Sequence, residues 1–136
     1  MRIVIDTNVL VSGIFWGGVP HRLLSAWIAG EMEVCATPQV LSEYCDVIDR
    51  LAGRCARQDL AKRWKAYLFE HLTLIAESRP YQGVRDPKDD KFIACALSAG
   101  ASLLVSGDDD LLTLREVEGV KIVKVSDWHK SHRRYL

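Results

Sequence analysis

The sequence lacks several features that would assign it to common protein classes. It has no cysteine pair at C-x-x-C spacing and no histidines at zinc-ligand spacing beside its four cysteines, which argues against a closed structural zinc site. No apolar run approaches the ~20 residues of a membrane span, and the carboxylate of Asp6 comes too early for the apolar region of a signal peptide. Free thiols are typical of a cytoplasmic protein, so we expect a soluble, cytoplasmic chain without a membrane partner.

An excess of either charge is also missing. Eighteen basic and 18 acidic side chains give a formal net charge of zero, so no global field attracts a polyanion. Six of the acids lie in two short segments, 86–90 and 108–110; without these six, Asp6 and Glu43, ten acids face eighteen bases. If cations neutralise this acidic group, the remaining surface is basic on balance, which suits a phosphate backbone. Charge runs of this kind more often form solvated turns.

Strands and helices alternate along the 136 residues, which suffice for one domain, 1–136, with a single core. The β-branched run 2–6 is typical of a strand that is covered on both faces. Further strands are predicted at 31–37, 74–76, 102–108 and 121–126, and helices at 21–29, 37–52, 58–72 and 89–99. This order predicts an α/β fold with a parallel sheet between layers of helices.

Four carboxylates are expected to converge at one edge of this sheet. Asp6 and Asp108 each end a strand, so a parallel sheet brings both to the edge where ligands bind. Glu43 lies two turns into the helix that starts at Thr37-Pro38, and Asp90 lies one turn into the buried helix. Crowded carboxylates destabilise a fold unless protons or cations intervene. An all-oxygen set favours Mg²⁺ or Mn²⁺, which can activate water for attack on phosphorus.

Each acid also has an ordinary structural explanation. Asp6 could cap the following turn, and the Asp-Pro junction explains Asp86 fully as a cap. Asp89 fits the third position of its helix, and Glu43 taken alone could be a surface glutamate. Asp110 fits a capping or solvated role, although it is the acid of its segment most able to reach the site. The joint placement of the acids, rather than any one of them, favours a metal site.

Four stretches together resemble the PIN-domain nucleases, specifically the single-domain PIN proteins of bacterial and archaeal toxin–antitoxin systems: VIDTNVLVSG, LSEY, DPKDDKFIACAL and LLVSGDDDLL. The resemblance spans nearly the whole chain. It implies an acidic quartet that binds Mg²⁺ or Mn²⁺, formed by Asp6, Glu43, Asp90 and Asp108. Thr7 and Asn8 follow the first aspartate, and Asn8 and Ser106 would orient the acids; the family usually has threonine at the position of Ser106. Spacing to Phe92 favours Asp90 over Asp89 as the ligand.

The resemblance further implies an α/β/α sandwich of about five parallel strands, endoribonuclease activity on RNA, a homodimer, and an antitoxin partner that blocks the site. Four residues near the end of the chain either contact RNA or an acidic partner or form a solvated tail: Lys130, His132, Arg133 and Arg134. A PIN nuclease outside a toxin pair and a vestigial nucleic-acid-binding module are the alternatives. Asp6-Thr7-Asn8 lacks the acidic pair of a receiver domain and the D-x-D of a haloacid-dehalogenase phosphatase.

Overall fold

A computed structural model describes residues 1–133, in which six strands form one mixed sheet. The strands are β1 (Arg2–Ile5), β2 (Glu33–Ala36), β3 (Thr73–Leu74), β4 (Leu103–Val105), β5 (Glu116–Val117) and β6 (Val120–Val123). Their order across the sheet is β3-β2-β1-β4-β6-β5. Five strands run parallel, as predicted, and the short β5 pairs antiparallel with β6 at one edge. The sequence did not indicate β5.

Seven α-helices flank this sheet within the described part of the chain. They are α1 (Thr7–Phe15), α2 (Gly18–Ile28), α3 (Pro38–Cys55), α4 (Gln58–His71), α5 (Asp90–Ala99), α6 (Asp109–Leu112) and α7 (Val125–Arg133). A single 3₁₀ turn, Pro87–Asp89, precedes α5. Among residues 1–133, no helix combines the length and the hydropathy needed to cross a membrane.

The centre of the sheet is covered on both faces. Ile3, Val4 and Ile5 follow one another in β1 and are all fully buried, although their side chains alternate between the two faces. Helix α5 packs on β1, β2 and β4, while α1 packs against α2 and α3. The predicted α/β/α sandwich is confirmed.

Two helix ends follow the predicted local chemistry. The Thr37 side chain accepts a hydrogen bond of 3.3 Å from the backbone N–H of Val40, and Pro38 occupies the first turn, where a missing N–H costs nothing. Gly100 ends α5 with a φ of 64°, the left-handed conformation that glycine adopts without strain. Helix α3 begins where the sequence predicted and runs one turn past the predicted end, to Cys55.

The topology fixes where a ligand site can form. Strands β2 and β3 lie on one side of β1, and β4 and β6 lie on the other, so the direction of strand addition reverses between β1 and β4. Open α/β sheets bind ligands at such a switch point, beyond the carboxyl ends of the strands. Ile5 is in register with Val105, and the backbone N–H of Asp6 donates to the carbonyl of Val105 at 2.9 Å. Residues 6 and 106 therefore leave the sheet side by side at the switch point.

Candidate active site

The Ser106 hydroxyl group joins two of the predicted acids. Its Oγ donates a hydrogen bond of 2.7 Å to Oδ2 of Asp6 and accepts one of 3.0 Å from the backbone N–H of Asp108. Ser106 is fully buried and follows the last residue of β4, so the strand itself sets its position. Asp6 and Asp108 are thus held at the same sheet edge, as the strand ends predicted.

Asp6 is a buried carboxylate whose surroundings disfavour its charge. Burial raises its pKa, the hydrogen bond from Ser106 lowers it, and the nearby charges of Asp108 and Glu43 raise it again, so that the net shift is upward. Asp6 occupies the N-cap position of α1, yet its side chain makes no capping hydrogen bond. Capping therefore does not explain why an acid stands at this position.

Asp89 belongs to the same acidic group. Burial raises its pKa to about 7, and a hydrogen bond with Asp108 and the charges of Asp108, Asp6 and Asp86 act in the same direction. Its Oδ2 is buried and has no hydrogen-bond partner in the described part of the chain. Although Asp89 precedes α5 directly, its side chain does not cap that helix. A buried, unsatisfied carboxylate oxygen beside two further acids is costly unless a proton or a cation binds there.

Asp90 is bound to the loop that precedes the 3₁₀ turn. Its Oδ1 accepts hydrogen bonds from the backbone N–H groups of Gly83 and Val84, at 3.2 and 2.9 Å. These bonds tie the loop before the 3₁₀ turn to the start of α5. Asp89 therefore interacts with Asp108 and Asp6, whereas one oxygen of Asp90 holds the loop, and the choice of Asp90 over Asp89 as the ligand stays a prediction.

Glu43 lies beside Asp6 and is bound at both oxygens. Its Oε2 accepts a hydrogen bond from the hydroxyl group of Thr7, and its Oε1 lies 2.6 Å from Nζ of Lys91. The Glu43 and Lys91 side chains are 29 and 16% exposed. The sequence did not indicate the contact of Lys91 with Glu43, because only the packing of α3 against α5 brings residues 43 and 91 together.

Four of the predicted residues differ in their surroundings. Asn8 is exposed on α1 and makes no side-chain hydrogen bond within residues 1–133, and its expected role in orienting the acids stays a prediction. Asp108 caps α6, since its Oδ1 accepts a hydrogen bond of 2.8 Å from the backbone N–H of Asp110. The Asp110 carboxylate lies at the rim, 4.0 Å from the largely exposed Arg85. Asp86 is the predicted cap and accepts from Lys88 N–H at 3.1 Å.

His132, near the end of the described residues, lies away from the acidic group. His132 stacks on Trp128 with ring centroids 4.9 Å apart, and its Nε2 lies 3.6 Å from Oε1 of Glu31. Glu31 precedes β2, so this contact is at the sheet edge opposite the acids. Lys130 belongs to the same helix, α7, whereas Arg134 and the side chain of Arg133 lie outside the part that the structure describes.

The donor set of Asp6, Asp89 and Asp108 fits a hard divalent cation. All their ligand atoms are carboxylate oxygens, the pKa values of Asp6 and Asp89 are raised, and Asp89 Oδ2 is unsatisfied. A bound cation would offset each of these penalties. Within residues 1–133, no three acidic, histidine or cysteine side chains are arranged so that they could hold an ion as they stand. Coordination would therefore require these carboxylates to reorient.

Comparisons with known proteins agree with this fold. Among solved structures, the fold is similar to a chain of the crystal structure of VapBC2 from Rickettsia felis bound to a DNA fragment from their promoter. The TM-score is 0.61 at 14% identity, over 90% of this chain and 97% of that chain. The comparison with curated proteins finds no match. A family model described as PIN domain matches residues 2–110, and the chain therefore belongs to the PIN-domain family, whose members are nucleases that generally use divalent metal ions.

Proposed function

We propose that this PIN domain is a Mg²⁺- or Mn²⁺-dependent endoribonuclease and the toxin of a toxin–antitoxin pair. One observation carries the proposal: Asp6, Asp89 and Asp108 gather at the switch point of the sheet, and a buried oxygen of Asp89 is left without a partner. Site-specific binding of a cation would stabilise the native state, by ~2.7 kcal/mol at a hundredfold excess over the dissociation constant.

Each acid has a distinct role in this proposal. Asp6, Asp89 and Asp108 would hold the cation; Ser106 fixes the first of them, and Asp108 has one oxygen committed to the cap of α6. When bound, the cation would activate a water molecule and balance the charge of the phosphate. Glu43, held by Thr7 and Lys91, stands beside Asp6, where it would orient the attacking water. Asp90 would act only through the loop that it holds.

RNA is the substrate that local charge and the family resemblance favour together. Arg85 is exposed and stands at the rim of the acidic group beside Asp110, and Lys88 is exposed in the adjacent 3₁₀ turn. Exposed cations at this position suit contacts with backbone phosphates, which fix the register of a nucleic acid without reading its sequence. The choice of RNA over DNA rests on the resemblance to the short toxin-type PIN proteins.

The decisive experiment is cleavage of end-labelled single-stranded RNA with mapping of the product ends. Wild type with Mg²⁺ or Mn²⁺ should cut the RNA, and excess EDTA should abolish cleavage. Asp6→Asn should be inactive but folded, because it keeps the size of the side chain and removes the charge. Asp46→Asn, an exposed change on α3, is the matched control and should cut like wild type.

Two results would contradict the proposal. Full activity of Asp6→Asn in Mn²⁺ would remove the acidic group from the reaction. Cleavage of single-stranded DNA of the same sequence, but not of the RNA, would overturn the substrate assignment. An inactive but metal-binding wild type would instead support a vestigial nucleic-acid-binding module.

The toxin role and the assembly need a separate test. The similar fold belongs to a VapBC2 complex, and by analogy we propose a homodimer whose site an antitoxin covers. Expression of the chain alone should then stop growth, whereas co-expression with the small protein of a neighbouring reading frame should restore it. Normal growth with an enzyme that is active in vitro would favour RNA processing outside a toxin pair.

A further inference from the structure

We propose that the ammonium group of Lys91 is a built-in cation of this site, which neutralises Glu43 so that the chain binds one divalent ion rather than two. Lys91 is thus a positioning residue that acts through Glu43. The inference rests on the proposed function, and it deepens that function by fixing how many metal ions the acidic group takes.

The contacts of Glu43 leave neither oxygen without a donor. Lys91 Nζ lies 2.6 Å from Oε1, and the Thr7 hydroxyl group donates to Oε2. Both partners of the ion pair are mostly buried, at 29 and 16% exposure, so water screens this pair less than a surface pair. A divalent ion at Glu43 would have to share an oxygen with one of these donors and lie close to the Lys91 ammonium group, whose positive charge opposes its binding.

The other three acids have no such compensation. Within residues 1–133, no lysine or arginine forms an ion pair with Asp6, Asp89 or Asp108; the nearest pair at the rim joins Arg85 to Asp110 at 4.0 Å. Asp89 Oδ2 also lacks a hydrogen-bond partner. The acidic group therefore divides into three acids that still require a cation and one, Glu43, that Lys91 already neutralises.

The position of Lys91 on its helix supports a specific role. It is the second residue of α5, and a positive charge in the first turn is disfavoured by the helix dipole. The residues that follow it, from Phe92 to Leu97, are buried in the core. Within its own helix the Lys91 ammonium group lies 5.9 Å from the centroid of the Phe92 ring, which is a weaker contact than the 2.6 Å ion pair with Glu43. The interaction with Glu43 on α3 therefore accounts best for the placement of this lysine.

The number of bound ions tests the inference directly. Mn²⁺ would be titrated into the metal-free chain, and the free ion would be followed by electron paramagnetic resonance. Wild type should bind one ion per chain. Lys91→Gln should bind two, because it releases Glu43, and Lys91→Arg should return the count to one. Lys62→Gln, which removes an exposed charge on α4, is the matched control and should bind one.

A double variant links the additional ion to Glu43. Glu43→Gln combined with Lys91→Gln should bind one ion, because the freed carboxylate is then absent. Two ions in wild type, or one ion in a folded Lys91→Gln, would overturn the inference. The wild-type count is decisive even if Lys91→Gln does not fold, as judged by circular dichroism. Absence of binding to wild type would be a different failure, since it contradicts the metal dependence of the proposed function.

Discussion

Ser106 donates a hydrogen bond of 2.7 Å to Asp6 between the ends of two neighbouring parallel strands, where the two side chains are 0 and 4% exposed. The bond orients the most buried acid of the site and lowers the pKa of Asp6 against the effect of burial. Groups that orient metal ligands are costly to remove, even though they never touch the ion.

We expect Ser106→Ala to lower the rate of RNA cleavage roughly 10–100-fold, the usual cost of losing such an outer contact. Ser106→Thr should recover most of the activity because it retains the hydroxyl group. Ser102→Ala, at an exposed serine before β4, is the matched control. Unchanged cleavage by Ser106→Ala would show that the hydrogen bond does not support the reaction.

Asp89 and Asp90 are neighbours with opposite expected phenotypes. Asp89→Asn should reduce cleavage by about a hundredfold or more, because a direct ligand should matter at least as much as an outer contact. Asp90→Asn should remain close to wild type, since the amide oxygen can still accept from Gly83 and Val84. Rates measured at saturating Mn²⁺ compare the two variants. If Asp90→Asn loses more activity than Asp89→Asn, Asp90 rather than Asp89 is the ligand.

The pKa of Asp89 also predicts how pH affects the stability of the metal-free protein. Because the pKa rises from 3.8 to about 7 on folding, the native state binds this proton more tightly than the unfolded state does. The free energy of unfolding should therefore fall as the pH rises through this interval. The raised pKa of Asp6 acts in the same direction.

Urea unfolding in EDTA at about pH 5 and about pH 8 measures this dependence. Asp89→Asn should show a smaller loss of stability between the two conditions than wild type or Asp90→Asn. Mn²⁺ should stabilise wild type more at the higher pH, because the ion competes with the proton for the carboxylates. If wild type and Asp89→Asn lose the same free energy of unfolding between the two pH values, the raised pKa does not belong to Asp89.

Strand-end geometry was enough to predict part of the site from the sequence. Asp6 and Asp108 follow apolar runs, and the alternation of strands with helices brings their positions to one edge. The choice between Asp89 and Asp90 depended on local geometry instead. Asp89 ends the 3₁₀ turn Pro87–Asp89, which is capped by Asp86 and has three residues per turn. The 3.6-residue period of α5 therefore cannot be extended backwards to predict which way the Asp89 side chain faces.

Two helices were missed for different physical reasons. Helix α1 contains Gly13, which is a poor helix former; a Cβ there would lie 2.9 Å from the carbonyl oxygen of Pro20, so the close approach of α2 requires glycine. Helix α7 is largely polar and is anchored by Trp128, which is 4% exposed. In both cases packing against another element decides the structure, and the local pattern does not reveal it.

Tyr44 is a core residue next to two of the acids, Asp6 and Glu43. Its hydroxyl group donates to the backbone carbonyl of Ile5, the residue before Asp6, and Tyr44 itself follows Glu43 on α3. The side chain is fully buried, and burial raises the pKa of Tyr44 well above its usual value, so the hydroxyl group remains a hydrogen-bond donor. The bond fixes α3 against the end of β1, where the acids converge.

Tyr44→Phe should therefore destabilise the protein by about 1–2 kcal/mol, because it leaves a buried carbonyl without this donor while preserving the ring. Urea unfolding gives the free energy, and the cleavage rate reports whether Glu43 has moved relative to Asp6. Tyr67→Phe is the matched control, since Tyr67 is half-buried on α4 and packs through its ring against Trp64. If both variants unfold at the same urea concentration as wild type, the hydrogen bond from Tyr44 does not hold α3 in place.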